Sequence, residues 1–200
     1  MRTFGKIMKY SFFAILIILV IIIGIRIAMS ANRGVLKDIY PTEKAIEAYE
    51  ADGKEAFLTH KLSSDISPDG YFTAYAMTYA PSVGELQMTV RYNDSLPEKY
   101  LPGSDPESYY FKLCDSEGNT VAKSRVLSSK ELYFYNHFRI VFEDIEMDED
   151  IILTLFLCDD ESEYPADHTQ GIIIHHPSIA FHPVSLSGDE KKALTASEEK

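Results

Sequence analysis

The chain has 200 residues, 31 acidic against 19 basic, with a formal net charge of −12 when histidine is neutral. All 31 acids but only 15 of the bases follow residue 29, so that part stands at −16, which excludes nucleic acid and anionic lipid surfaces as its targets because phosphate recognition takes clustered Lys and Arg. Two cysteines, Cys114 and Cys158, with no CxxC or Cys/His spacing, exclude a disulfide-dense secreted scaffold and a zinc-finger-type site.

The first element is the most distinctive. Phe12 to Ile25 reads FFAILIILVIIIGI, without a charged or hydrogen-bonding side chain. Extended to residues 10–29, with Arg26 snorkelling to the interface, the run reaches the roughly 20 residues a helix needs to cross a hydrocarbon core. A helix is the form implied, because lipid offers the backbone no hydrogen-bond partners. Residues 1–9 form a basic head with Arg2, Lys6 and Lys9, while Arg26, Arg33 and Lys37 follow, so the positive-inside count is nearly balanced. Basic head, apolar core and polar sequel are nonetheless the layout of a secretory signal, which keeps the head cytoplasmic and sends the rest across. Ala28-Met29-Ser30 before Ala31 resembles a cleavage site, but Arg26 falls inside that region and the span is long for a removed signal. The expectation is a retained signal-anchor, with membrane lipid as its partner through residues 10–29. The location implied is the plasma membrane, single-pass, with the C-terminal domain extracytoplasmic. No cysteine lies near the end of the run, so a lipid-modified N-terminal cysteine is excluded.

Residues 30–54 read as a stalk and a short helix. Ser30 to Tyr40 is polar, and Pro41 opens PTEKAIEAYEAD, with acids in its first turn and Gly53 placed to stop it. Ile46 and Tyr49 give it one narrow apolar edge, which predicts loose packing.

Residues 55–186 change to a period of two. Leu86, Met88, Val90 and Tyr92 alternate with Glu85, Gln87, Thr89, Arg91 and Asn93, predicting a strand with one core face and one solvent face. Tyr109, Phe111 and Leu113 repeat the pattern, and DSEGN at Asp115 to Asn119 predicts a hairpin turn into a strand near Thr120 to Leu127. Phe138, Ile140 and Phe142 make another inward face, and Ile151 to Cys158 is apolar on both sides. Tyr71 to Tyr79 and Ile172 to Leu186 add strands, the latter edge-like because Pro177 and Pro183 interrupt it. About eight short strands without intervening helical pattern predict a mainly β fold: an antiparallel β-sandwich, immunoglobulin-like or jelly-roll, preceded by one short helix. With no tryptophan and with cysteines on the wrong faces, an antibody-type domain is not supported. Residues 187–200 read as a disordered polar tail. If two reversing strands separate the strands ending at Cys114 and Cys158, the thiols lie at opposite ends of the sandwich and stay free.

Three groups of side chains are candidates for chemistry. Asp148, Glu149 and Asp150 on one acidic turn, which also holds Glu143, Asp144 and Glu146, and Asp159 and Asp160 on another, supply the oxygen ligands calcium takes. They flank one strand, however, and should lie roughly 20 to 25 Å apart. His168, His175, His176 and His182 could ligate a transition metal, but adjacent His175 and His176 point to opposite faces, and edge histidines facing solvent are the expectation. Tyr71, Tyr75 and Tyr79 share one strand face, as do Tyr133 and Tyr135 on another; an exposed ladder of phenols could hold a protein or polysaccharide partner, but phenols forming the sandwich core with their hydroxyls at its rim are the expectation.

No GxSxG, HExxH or phosphate-binding glycine loop occurs, and no cofactor is implied. The leading expectation is therefore a non-catalytic binding or assembly protein of the cell envelope. A surface or secreted carbohydrate-active hydrolase is the alternative from another class, since its two carboxylates could come from distant loops. A calcium-dependent adhesion module is a third.

Overall fold

The computed structural model describes residues 2–35, 39–60, 62, 65–66, 70, 72–92, 110–132, 135–147, 151–158 and 171–196. Met1–Lys37 and Asp38–Lys200 are separate compact units. In the first, helix α1 runs Arg2–Val35. Its Met8–Arg26 stretch, 19 residues with none of the apolar window buried, is long and apolar enough to cross a membrane, as an anchor or as a signal sequence. The helix continues beyond this stretch into the expected polar stalk. Extending a formed helix costs far less than starting one, and no proline intervenes before Pro41.

The second unit is mainly β, with two antiparallel sheets. Its strands are β1 (Leu58–His60), β2 (Asp65–Ile66), β3 (Phe72–Ala80), β4 (Glu85–Tyr92), β5 (Tyr110–Cys114), β6 (Thr120–Leu132), β7 (Tyr135–Phe142), β8 (Leu153–Cys158), β9 (Ile172–His175) and β10 (His182–Pro183). They hydrogen-bond in the order β10-β1-β3-β4-β7-β6-β5-β8-β9, with β2 on β3. Strand β6 serves both sheets: residues up to Arg125 pair with β5, and those from Val126 pair with β7. A register shift between Val126 and Ser128 marks the change, as a bulge bends a strand. β5, β6 and β7 form a meander, β8 returns beside β5, and β4 lies beside β7, which makes two overlapping Greek keys. The edge-like stretch expected at Ile172 to Leu186 is split, with Pro177 between the parts, into β9, outermost in the second sheet, and β10, outermost in the first.

The inner faces share one core. Phe72, Met77, Leu86, Met88, Val90, Phe138, Ile140 and Phe142 from the first sheet meet Phe111, Leu113, Leu153, Leu155 and Ile174 from the second. Phe72 and Phe111 cross edge to face at 5.7 Å between ring centroids, a favoured aromatic geometry. The hairpin turn between β5 and β6 is built as its residues require. Asp115 Oδ1 accepts from the Glu117 and Asn119 amides at 2.9 and 2.8 Å, and Gly118 takes φ 87°.

Four expectations are corrected. The outer face of β4 is not open to solvent: Glu85, Gln87 and Thr89 are 1%, 5% and 4% exposed. Helix α2 (Glu43–Asp52), capped by Thr42 and stopped by Gly53 at φ 61°, does not pack loosely. It buries Ala45 and Ala48 completely, because two small side chains three residues apart let its backbone approach closely, with Ile46 and Tyr49 at the flanks. Residues 187–200 are not wholly a disordered tail, since α3 (Gly188–Thr195) forms there with a capping box between Ser187 and Glu190. Its Leu194 is fully buried in a second core with Ile39, Ala45, Ala48, Ala56, Phe57 and Ala80. Finally, Cys114 and Cys158 are buried and form no disulfide, as expected, but their strands are neighbours and not separated by two others. Cys114 pairs with Thr154 and Cys158 with Tyr110, so the cysteines stand four rungs apart, roughly 13 Å along the ladder.

Candidate functional site

The outer face of the first sheet gathers polar and aromatic side chains from three strands. A register shift between Ala74 and Ala76 makes Tyr75 the bulged residue of β3. An extra residue reverses the parity of everything beyond it. Phe72, Ala74, Met77 and Tyr79 therefore face the core, while Tyr75 faces out. No exposed ladder runs from Tyr75 to Tyr79: Tyr79 is 8% exposed, in the core, and its hydroxyl donates to the Ile145 carbonyl at 2.9 Å. Tyr71 and Tyr133 lie outside the described residues, and Tyr135 is the register partner of Leu132 at the start of β7.

Around Tyr75 the sheet registers place Thr73, Arg91, His137 and Lys130 in one row across β3, β4, β7 and β6. The next row holds Thr89, Arg139 and Ser128. The Arg91 guanidinium sits 5.8 Å from the centroid of the Tyr75 ring, and its Nη2 donates to Thr73 Oγ1 at 3.4 Å. The His137 ring lies on the same phenol, 6.0 Å away and tilted by 37°. Thr73 and His137 are buried, and Tyr75, Arg91 and Arg139 are half-buried.

Alternation alone would place His137 and Arg139 together, opposite Phe138 and Ile140. Their position beside Arg91 depends on the β4–β7 register, and the parting of Tyr79 from the face of Tyr75 depends on the bulge. Neither leaves a mark in one sequence.

The same face closes at its other end around the chain that follows α1. Gln87 Nε2 donates to the Tyr40 carbonyl and to Glu85 Oε1, and Gln87 Oε1 accepts from the Tyr40 amide. Thr42 Oγ1 donates to Glu85 Oε2 at 2.6 Å while accepting from Ala45 N, so one hydroxyl caps α2 and ties it to the sheet. Arg139 lies 5.8 Å over the Tyr40 ring, which links this end to the cationic rows. Glu190 of α3 accepts from Ile39 N at 3.1 Å and from Ser187 N at 2.7 Å. Burial alone would raise the Glu190 carboxyl, but the Ser187 and Ile39 donors, with the Arg139 charge, hold it below the ordinary value.

Among the described residues the other candidates assemble no site. Asp148, Glu149, Asp150, Asp159 and Asp160 lie outside the described residues, as does His168. Among the described residues no group of three or more His, Cys, Asp or Glu is arranged to hold a metal ion. Glu143 and Asp144 instead engage Lys44 of α2 at 3.4 and 2.7 Å, and the hydrogen bond to Asp144 raises the lysine pKa above its ordinary value. His175 does not face solvent as expected. It is 5% exposed, 5.8 Å from the Phe181 ring, because the register shift on β9 turns it inward, whereas His176 is exposed and pairs with Ser178. His182 is exposed on β10.

Comparison of the chain with protein-family models, with curated proteins and with solved structures finds no match.

Proposed function

We propose that this chain is a membrane-tethered binding or assembly module of the cell envelope, and not an enzyme. In this reading the Met8–Arg26 helix is a retained anchor that leaves the N-terminus in the cytoplasm and the two-sheet domain outside. The secretory-signal layout of basic head, apolar core and polar sequel supports that orientation. The overlapping Greek keys, with the β5–β7 meander running through both sheets, favour an immunoglobulin-like sandwich over a jelly roll.

One observation carries the binding reading: Arg91 and His137, directly opposed on β4 and β7, both lie against the ring of Tyr75. A half-buried phenol with a guanidinium and an imidazole against its ring suits a protein or polysaccharide partner that lays an apolar or sugar face on it. The −16 charge of the chain beyond residue 29 repels a polyanion at long range, which disfavours one as the partner.

The test is photo-crosslinking in intact membranes, with p-benzoyl-phenylalanine in place of Tyr75 of the full chain. A light-dependent adduct of discrete mass that weakens with Arg91→Ala and with His137→Ala is the expected result. No adduct, or one indifferent to both substitutions, would remove Tyr75 and its row from the reading. Protease access to the domain from each side of the membrane tests the orientation separately.

A further inference from the structure

We propose that α3 is a latch over the segment that joins the apolar helix to the β domain: docked, it pins Ile39 to the first sheet, and undocked, it lets Ile39–Thr42 leave. The chain passes from Val35, the last residue of α1, to Ile39 within four residues. Ile39 is the described residue of the β domain nearest to α1 in sequence.

The holds on this segment come from side chains and not from a strand ladder. Tyr40 is held by Gln87, at 2.7 Å to its amide and 2.8 Å to its carbonyl. Thr42 is held by Glu85 at 2.6 Å. Ile39, nearest to α1, has its amide held by Glu190 of α3 at 3.1 Å and is 5% exposed in the core that contains Leu194. The outermost hold on the segment therefore belongs to an element 151 residues away in sequence.

That element is weakly rooted. α3 has eight residues, too short to persist alone in water, and Leu194 is its one fully buried side chain. It is attached by an apolar side chain and a carboxylate, whereas the sandwich is attached by a continuous core. Elements with few buried contacts open before the global transition, so α3 is the natural first part of this region to release. Freeing Ile39–Thr42 would add up to roughly 13 Å of extended chain to the tether. The latch stands on contacts within the domain, and only its effect on reach rests on the membrane-tether reading.

Hydrogen exchange followed by mass spectrometry on the full chain in detergent micelles tests the latch. Leu194→Asp removes the apolar attachment, and Glu190→Gln combined with Ser187→Ala removes the polar one without disturbing the core. Ala193→Ser, at an exposed position of the same helix, is the control. In both latch variants, exchange in the peptide covering residues 39–42 should rise about five- to tenfold, the factor expected for one lost cap or contact, while peptides from β4, β5 and β8 keep the parent rate. Trypsin should cut after Lys44 faster in the same variants and not in the control. Unchanged exchange at residues 39–42 would overturn the proposal. So would a rise shared equally by β5 and β8, because α3 would then belong to one cooperative unit with the sandwich.

Discussion

Gln87 and Tyr40 exchange two hydrogen bonds, the side-chain amide of one taking both the N–H and the C=O of the other at 2.7 and 2.8 Å. A glutamine side chain thereby does what a neighbouring strand would do, and the chain entering the domain is held without a ladder. Replacing Gln87 with Leu leaves the Tyr40 peptide and one oxygen of Glu85 without this partner, in a place only 5% exposed at Gln87. Buried groups stranded in this way cost about 2 to 3 kcal/mol. Gln87→Glu should cost more, since it sets a second carboxylate where Gln87 Nε2 now lies 2.7 Å from Glu85 Oε1. Urea unfolding of the full chain in micelles checks both the size and the order.

Two glycines with similar backbones should respond differently to alanine. Gly84 has φ 62°, and a Cβ there would stand 3.2 and 3.3 Å from the carbonyl oxygen and amide nitrogen of Ile145, whose amide donates to Gly84 O at 2.8 Å. Gly118 has φ 87° with nothing within 4 Å of its Cβ position. Both substitutions carry the left-handed backbone penalty of about 1 kcal/mol, but only Gly84→Ala also presses on backbone that cannot swing away. Gly84→Ala should therefore lower the thermal midpoint clearly more than Gly118→Ala. Equal shifts would mean that the Ile145 loop yields freely.

Much of the sandwich was legible in the sequence because its central strands obey a period of two, and Leu86, Met88, Val90, Phe138, Ile140 and Phe142 all lie in the core as that period requires. The apolar helix was legible for a simpler reason, an uninterrupted composition. What the period could not supply was the second layer. Glu85, Gln87 and Thr89 look like a solvent face until residues 39–44 are laid over them, and that contact spans more than 40 residues of sequence. The site was missed for a related reason: one bulged residue reverses the face of Tyr75 relative to Tyr79, and bulges have no composition of their own. α3 was missed although Ser187 and Glu190 stand at the spacing of a capping box, because its single Leu194 leaves no apolar stripe to notice.

The thiols give a test of packing that does not depend on function. Cys114 and Cys158 are 3% and 0% exposed and four rungs apart on neighbouring strands. An aromatic disulfide reagent should therefore react with neither in the native chain and with both in denaturant, and mild oxidation should yield no intramolecular bridge. Rapid labelling of one cysteine under native conditions would show that its end of β5 or β8 opens.

The pH response of Glu190 has a definite sign. Its carboxyl is held below the ordinary value of 4.5, so the folded state binds the proton less readily than the unfolded chain does. The stability it contributes is fully present above the ordinary value and disappears as pH falls through the lower, folded-state value. Glu190→Gln removes the titration: the parent should be the more stable at pH 6 to 7, and the difference should shrink as pH falls below about 4. Asp115 is lowered in the same sense by Asn119, so Asp115→Asn should converge on the parent over a similarly acidic window. Neither window reaches neutral pH, which makes the Glu190 attachment constant in any ordinary compartment. Release of α3 there must come from a competing contact or from loss of the helix, and not from mild acid. Thermal midpoints of parent and variants between pH 3 and pH 7 check this, and a Glu190→Gln difference that stays level down to pH 3 would show that the carboxylate is not linked to folding.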